Sequence, residues 1–581
     1  MNCRIAKFLS LLVFPLAALA QQMDLGADTW AATDALGRAV PMAEQAGAPR
    51  PDHFVGIFYF LWHGANWKRG PYDIGKIFAA DPEAMKKPDA AGWGPMGYPH
   101  YWGEPLFGYY RSDDPWVLRK HAQMLANAGV DTLIFDTTNA EIYRDTFLKL
   151  CEVFAQARRD GVHAPQIVFM VNTKAGETAR KIFEALYKPG LFPELWFRWQ
   201  GKPLLICDPE KADAELKNFF TLRRAHWPFE MVNTKDAWHW EAAFPQPYGF
   251  HDDPKKPEQV NVSVAQNLRA SDGKVTNMSH GDARGRGFHD GMQDGSRTAI
   301  DRGLNCDEQW RRALQLDPPF VMVTGWNEWI AGRFNSQGPL TFVDQFNEEF
   351  SRDIEPMNGG HGDNYYYQFV AGIRRYKGAR AVTPVQSRHI SIDGDFSDWS
   401  GVQPEFRDAA GDAAPREFSG IGTSGVYTNK TGRNDIVAAK VSVDASNVYF
   451  YVRTAAKLSQ STDRDWMTLL IDADITRETK RLGFDHMIYR GLFGKDAYYL
   501  LAWDENHWSF PLPVQSSVSG NEIELAFPRN WISLRGFPKE IDFKWIDNIR
   551  SDWSANDFTL SGDAAPDDRF NYRARLAIPA N

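Results

Sequence analysis

Short apolar runs alternate with longer amphipathic stretches through residues 51–378. Runs rich in β-branched and aromatic residues predict strands, and apolar positions at helical spacing predict helices. The predicted strands are 55–61, 131–135, 166–171, 203–207, 230–233, 260–264 and 320–324. The predicted helices are 115–128, 142–160, 175–186, 212–224, 302–315 and a final helix at 363–377. This alternation is typical of parallel β/α architecture.

Seven predicted strands, with one more that the pattern does not reveal, favour a (β/α)8 barrel of the TIM type. A doubly wound sheet is the alternative, but that fold places a Gly-rich phosphate loop after its first strand. Here the first strand runs into an aromatic stretch at residues 58–64. The predicted fold class is therefore α/β, with a catalytic barrel at 51–378.

The hydrophobic pattern changes after a linker at residues 379–388. Short alternating strands separated by turn residues fill 389–581, which is typical of an all-β sandwich. The predicted strands there are 438–443, 448–453, 467–471 and 522–527.

The N-terminus carries the pattern of a secretory signal peptide. Arg4 and Lys7 precede an apolar run at 8–19, and Ala18-Leu19-Ala20 has the small-x-small form of a cleavage site. A membrane anchor is the alternative, but the run is shorter than the roughly 20 residues that a spanning helix needs. We expect cleavage after residue 20, a periplasmic or secreted protein with an N-terminal extension at 21–50, and no membrane span afterwards.

Composition narrows the classes of partner. A formal net charge of −9 and a pI of about 5.9, without a basic run, argue against nucleic acid. The 21 Trp residues suit either stacking on sugar rings or a large aromatic core. Cys151, Cys207 and Cys306 lack paired metal-ligand spacing and indicate neither a disulfide framework nor a zinc site.

Acidic residues follow several predicted strands, where a barrel builds its active site. Glycoside hydrolysis uses two carboxyl groups and needs no redox cofactor. Glu328, between Trp326 and Trp329, is the predicted general acid/base, because aromatic walls raise a carboxyl pKa. Its alternative is a buried Glu paired with Arg333. Asp136 is the favoured second carboxylate, with a helix N-cap as its alternative role.

Other candidates rank below these two. Glu141 and Asp208 are weaker choices for the second carboxylate. The loop at 277–291 contains His280, Arg284 and Arg286, which would bind an acidic sugar or else belong to a surface loop. The residues predicted to bind substrate are Trp62, His63, Asn327, Trp329, Asp208, Trp240, His280 and Arg333.

The segments 59–63, 131–135, 201–206, 325–332 and 363–367 resemble the clan that contains glycoside hydrolase families 99 and 71. The resemblance covers most of 51–378 and implies a (β/α)8 barrel acting on α-linked mannosides or α-1,3-glucans. Glu328 matches the Asn-Glu step of those families. Family 99 has a second Glu three residues later, and here that residue is Ala331. The partner carboxylate then comes from another strand, or the linkage and mechanism differ.

The segments 390–399, 444–452 and 470–474 are similar to family 9 carbohydrate-binding modules and their DOMON-like relatives. This resemblance implies a β-sandwich with a possible structural calcium near Asp472 or Asp474, since hard cations prefer oxygen ligands. Sugar binding by this domain and packing against the barrel are both open.

These observations predict a glycoside hydrolase that cleaves a poly- or oligosaccharide with paired carboxylates. One alternative is a non-catalytic glycan-binding protein, because Ala331 replaces the family carboxylate. The other is a polysaccharide lyase in which His280 or His63 and a Tyr act as base and acid.

Overall fold

The computed structural model describes residues 24–64, 67–230, 232–335, 340–461, 463, 465–475, 480–491, 496–504, 507–533, 537–550 and 554–576. The predicted signal peptide at 1–20 lies outside them. Among the described residues, none of the helices combines the length and apolar character needed to cross a bilayer.

Eight parallel strands form the wall of a barrel, which confirms the predicted fold class. They are β1 (Phe54–Tyr59), β2 (Thr132–Thr137), β3 (Gln166–Val171), β4 (Lys202–Ile206), β5 (Thr221–His226), β6 (Ala237–His239), β7 (Gln259–Ser263) and β8 (Phe320–Thr324). Backbone ladders join them in the order β6-β5-β4-β3-β2-β1-β8-β7. Ile57 of β1 pairs with Leu133 on one side and Val323 on the other.

The barrel closes between β6 and β7 through a side chain. The described residues show no backbone ladder between these strands. Instead, the buried Gln259 donates from Nε2 to the His239 carbonyl (2.9 Å) and accepts from the His239 N–H through Oε1 (2.8 Å). Gly249 passes close by, where a Cβ would lie 2.3 Å from the Ala237 carbonyl oxygen. The Gln259 side chain thus supplies the pair of hydrogen bonds that a backbone ladder between β6 and β7 would otherwise provide.

Helices cover the outside of the barrel. They are α1 (Ala43–Ala46), α2 (Ile74–Ala80), α3 (Pro115–Ala128), α4 (Arg144–Arg159), α5 (Ala175–Ile182), α6 (Ala214–Phe219), α7 (Arg297–Arg302), α8 (Leu304–Leu316) and α9 (Asn364–Lys377), with α10 (Asp557–Leu560) near the C-terminus. Asp114 caps α3 by accepting from the Trp116 N–H, and Gly129 ends it in the left-handed region.

Two sequence predictions in the barrel are wrong. No strand forms at the described residues of 230–233, and the helix predicted at 212–224 ends at Phe219, where β5 takes over. The strand β5 was missed because it contains a charged residue. Arg223 of β5 is buried and pairs with Glu258 at 2.6 Å, so the strand lacks the continuous apolar run of its neighbours.

The C-terminal region is one long, mostly antiparallel sheet that folds over itself. Its main strands are β9 (Ile436–Val443), β10 (Asn447–Thr454), β11 (Thr468–Asp472), β12 (His486–Arg490), β13 (Tyr498–Asp504), β14 (Leu512–Ser519), β15 (Glu522–Pro528), β16 (Glu540–Asp547) and β17 (Tyr572–Leu576). Phe450 of β10 and Phe543 of β16, distant in the strand order, have ring centroids 5.5 Å apart. The two layers therefore share a core, as in a sandwich.

Shorter strands complete the described structure. They are Pro99–Tyr101, Arg198–Trp199, Gln266–Arg269, Ala283–Arg284, Ile330–Phe334, Thr341–Phe342, Pro384–Val385, Phe406–Arg407, Arg416–Ser419, Val426–Asn429, His507–Trp508 and Asp563–Ala565. Pro384–Val385, within the predicted linker, pairs with β17.

The chain's N-terminal segment packs on the C-terminal sheet. Ala31 and Asn571 exchange backbone hydrogen bonds of 2.9 and 2.7 Å. Trp30 is buried against Phe570 and Tyr572, with ring centroids 5.7 and 5.8 Å away. Within residues 24–50, Trp30 and Ala31 thus join the barrel to the last strand region of the β-domain.

Candidate active site

Glu328 lies after β8 and is fixed by three neighbours. Its backbone N–H donates to the Asp353 carboxylate. Its Oε2 accepts from Gln345 Nε2 at 2.5 Å and from Arg352 Nη2 at 2.9 Å. No described residue donates a hydrogen bond to Oε1. The carboxylate is therefore held in one orientation with one oxygen left for another partner.

Arg352 lies at the centre of a carboxyl group cluster. Its Nη2 contacts Glu328 and also lies 3.9 Å from Asp344 Oδ1, while Nη1 lies 3.2 Å from Glu241 Oε2. The guanidinium stacks on Trp240, 4.8 Å from the ring centroid. One positive charge faces three carboxyl groups, so we expect the cluster to retain a proton near neutral pH.

The pKa directions agree with this charge count. Burial raises the pKa of Glu328 well above its ordinary value, and Arg352 opposes the shift. Burial also raises the pKa of Glu241 to about 7, again against Arg352. The pKa of Asp344 is raised as well, because surrounding protein groups displace part of its solvent, although 43% of its side chain stays exposed. These shifts favour a carboxylic acid inside the cluster, which is the species a general acid needs.

Asp344 differs from the other two in accessibility. Its side chain is 43% exposed, whereas those of Glu328 and Glu241 are 6% and 0% exposed. Because Glu328 and Asp344 both approach Arg352 Nη2, their nearest oxygens are at most about 7 Å apart. Asp344 is thus the carboxyl group that a substrate in solvent reaches directly.

Asp136 belongs to the same electrostatic group but is engaged in a turn. It is the second-to-last residue of β2, and its Oδ1 accepts from the Thr138 N–H (3.0 Å) and hydroxyl (2.7 Å). Burial raises its pKa, Thr138 lowers it, and Asp344 and Arg352 contribute smaller opposite effects. The alternative helix-cap role is wrong, because α4 begins at Arg144 and its N-cap residue is Tyr143.

Aromatic side chains border this cluster. Trp240 follows β6 and packs against Trp227 with ring centroids 5.3 Å apart. Trp62 follows β1 and stacks on Phe60 at 5.3 Å. The Nε1–H groups of Trp62 and Trp240 are buried and have no acceptor among the described residues. Of the two indoles, Trp62 is partly exposed and Trp240 is buried.

Asn327 and Trp329 support the site rather than line it. The Asn327 amide bonds the Phe60 backbone on both sides, accepting at 2.9 Å and donating at 3.2 Å. Trp329 donates to Glu355 at 2.5 Å and stacks on Trp102 at 4.6 Å. Both are fully buried and leave no surface for a sugar. Asn327 joins the end of β1 to the Glu328 loop, and Trp329 joins that loop to Trp102 and Glu355.

His63, Asp208 and Arg333 are not brought to Glu328. His63 contacts Ser112 (3.2 Å), and burial lowers its pKa to about 3. Asp208 accepts from the Glu210 N–H in a turn after β4. Arg333 donates to the Pro88 carbonyl at 2.8 Å, so the predicted Glu328–Arg333 pair is wrong, and Arg352 takes that place.

The two arginines of the loop at 277–291 contact other protein groups rather than extending into solvent. Arg286 is buried, donates to the Asp353 carbonyl (2.7 Å) and packs on Tyr365. Arg284 packs on the Phe288 ring, 4.7 Å from its centroid, and His280 contacts Asn277 at 3.1 Å. Arg286 therefore supports the segment that carries Asp353, and the contacts of the other two are local.

The position that departs from the family pattern is apolar. Ala331 is buried in a cluster with Ile74 and Phe342. The strand it occupies, Ile330–Phe334, pairs with Thr341–Phe342, and that hairpin returns the chain to Asp344. Position 331 therefore supplies no carboxyl group, and the nearest carboxyl group after this strand pair is that of Asp344, beside Arg352.

Two other features lie away from this cluster. A cavity of about 680 Å³ between the N-terminal segment and the β-domain includes Arg38 and Lys544 in its lining. Asp472, Asp474 and Asp485 each place one oxygen within 4.8 Å of the others. Calcium binding by this group remains a prediction.

No protein-family model matches the chain, and no curated protein matches it. Two solved structures of the GH99 endo-α-mannosidase from Bacteroides thetaiotaomicron are similar to it. One, in complex with bis-tris propane, has 15% identity and a TM-score of 0.33, covering 56% of this chain and 97% of that chain. The other has 15% identity and a TM-score of 0.34, covering 57% and 99%. The chemistry therefore rests on the residues described above.

Proposed function

We propose that this chain is a glycoside hydrolase that cleaves a poly- or oligosaccharide with Glu328 and Asp344. The observation that carries the proposal is their convergence on Arg352 Nη2, one buried and one open to solvent, beyond the carboxyl ends of the barrel strands. That is where barrel enzymes place their catalytic groups.

The two carboxyl groups have environments suited to different roles. Burial raises the pKa of Glu328 well above its ordinary value, even though Arg352 and Gln345 donate to it, so Glu328 suits the protonated role of general acid for the leaving oxygen. Asp344, with 43% of its side chain exposed and Arg352 beside it, suits the ionised role of nucleophile or base. Trp62, which is partly exposed after β1, would stack on the sugar, and Trp240 would hold Arg352 in place.

The test is a screen of the mature protein against bacterial and plant polysaccharides, with released sugars measured by chromatography. Glu328→Gln and Asp344→Asn should each lower kcat/KM at least about 100-fold. Glu177→Gln is the control, because Glu177 is exposed in α5, directly after β3. Asp136→Asn should have a smaller effect, since Thr138 already engages its Oδ1.

Other outcomes identify other functions. A larger loss in Asp136→Asn than in Asp344→Asn would return Asp136 to the role of second carboxylate. Glycan binding without release by the wild type would favour a glycan-binding protein, and unsaturated uronate products would indicate a lyase.

We also propose export to the periplasm or medium after cleavage of residues 1–20. The sequence pattern at Ala18–Ala20 supports this, and the N-terminal residue of the exported protein tests it. Sugar binding by the β-domain stays a proposal that the same panel tests.

A further inference from the structure

Six aspartates gather where α3 of the barrel meets the β-domain. They are Asp408, Asp412, Asp435, Asp563, Asp567 and Asp568. One oxygen from each of Asp408, Asp412 and Asp567 lies within 4.8 Å of the others, and the same holds for Asp412, Asp435 and Asp563. Asp412 is therefore shared by two adjoining triads.

The protein groups around this cluster do not balance its charge. Lys120 lies 3.7 Å from Asp567, and Lys544 donates to the Pro566 carbonyl. Gln123 donates to Asp412 (3.0 Å) and Asp567 (3.1 Å) but carries no charge. Two lysines and Arg119 face six carboxyl groups, most of them buried, and buried unpaired charge is costly.

Asp408 supplies an independent observation. It is 0% exposed, and neither of its carboxylate oxygens has a hydrogen-bond donor among the described residues. Asp412, 5% exposed, also has one oxygen without a donor. Buried acceptors are normally satisfied, so these three oxygens point to a ligand that supplies positive charge.

We propose that this junction binds one Ca²⁺ ion through Asp408, Asp412 and Asp567, with Asp435 and Asp563 adjoining. The triads contain oxygen donors and neither His nor Cys, which favours a hard cation. Ca²⁺ accepts six to eight oxygens in flexible geometry, whereas Mg²⁺ usually keeps several waters, which a buried site disfavours. The ion would hold the barrel helix α3 to the β-domain through Gln123, which donates to Asp412 and Asp567. This site is separate from the Asp472 group.

The experiment uses the full-length mature protein freed of metal with EDTA. Calcium content per chain and thermal unfolding are measured with added CaCl2 or MgCl2. We expect bound calcium, a higher Tm with CaCl2, and a smaller effect of MgCl2. Asp408→Asn should weaken calcium binding by more than about tenfold. Asp472→Asn is the matched control, because it alters the other acidic group and should retain the junction ion.

The direction of the Tm change in Asp408→Asn distinguishes a bound calcium ion from an unoccupied acidic cluster. With a bound ion, the substitution removes a ligand and lowers the Tm in CaCl2. Without one, it removes a buried unpaired charge and raises the Tm equally in EDTA and CaCl2, which overturns the proposal. If Asp408→Asn does not fold, the calcium content of the double variant Asp472→Asn/Asp474→Asn decides, because it removes two of the three ligands of the other group: retained calcium supports the junction site and none overturns it.

Discussion

Arg352 determines the charge state of the candidate active site. It is 1% exposed and joins Glu328 to Glu241 through different nitrogens, so its loss would leave two buried carboxylates without a counter-ion. We expect Arg352→Gln to lower the free energy of unfolding by about 3 to 5 kcal/mol. Urea unfolding followed by fluorescence measures this change, and the exposed Arg159→Gln is the control.

A second substitution tests the cause. Adding Glu241→Gln to Arg352→Gln removes one of the stranded carboxyl groups and should recover part of the lost stability. Equal stability of the single and double variants would show that Arg352 acts through packing on Trp240 rather than through charge.

Glu241 makes stability depend on pH in a defined direction. Burial raises its folded-state pKa to about 7 from an ordinary 4.5. The folded protein therefore binds the proton more tightly, and this contribution to the free energy of unfolding is complete below pH 4.5 and lost as the pH rises through about 7. Glu241→Gln should make the decline of Tm between about pH 5 and 7 shallower. An unchanged slope would contradict this, and the exposed Glu177→Gln should retain the wild-type slope.

At the level of elements, the weakest joint of the barrel is predicted to be the β6–β7 closure. Gln259 supplies both hydrogen bonds of that joint to His239. Gln259→Met keeps the volume but leaves a buried N–H and C=O unsatisfied, so we expect a loss of about 2 to 4 kcal/mol in the free energy of unfolding.

Chemical denaturation and hydrogen exchange both measure this effect. The His239 amide should exchange faster in Gln259→Met than in the wild type. Gln156→Met on the exposed face of α4 is the control. Equal exchange rates at His239 would mean that neighbouring residues close the barrel without this side chain.

The elements also show where sequence patterns lose information. Apolar runs predicted β3 and β8 with their observed bounds, because both strands are buried on two sides. β5 was hidden because Arg223 lies in it, buried against Glu258. Because the strand was predicted at 230–233 instead of Ala237–His239, Glu241 was not recognised as a residue that follows a barrel strand.

The site was predictable only where a residue follows an apolar strand. Glu328 and Asp136 satisfy that rule. Asp344 and Arg352 follow a hairpin after β8 and are brought back to Glu328 by its pairing, which no local pattern marks. Their identification needed the three-dimensional contacts.

At the level of the whole molecule, α3 belongs to both parts of the structure. Its Gln123 and Lys120 reach the acidic cluster, and its cap residue Asp114 pairs with Arg416 of the β-domain at 2.7 Å. Both members of that pair are nearly inaccessible, and Arg416 also packs on Trp116. We therefore expect barrel and β-domain to unfold together, in one calorimetric transition.

Arg416→Met tests this coupling. The substitution keeps apolar contact with Trp116 but leaves Asp114 buried without its counter-ion, so we expect a loss of about 3 to 5 kcal/mol. Because Asp114 also caps α3, the loss should weaken the barrel and the β-domain together and shift a single transition to lower temperature. The exposed Arg388→Met should leave the Tm unchanged. Two separate transitions in the wild type would instead show that the parts unfold independently and that the α3 contacts do not couple them.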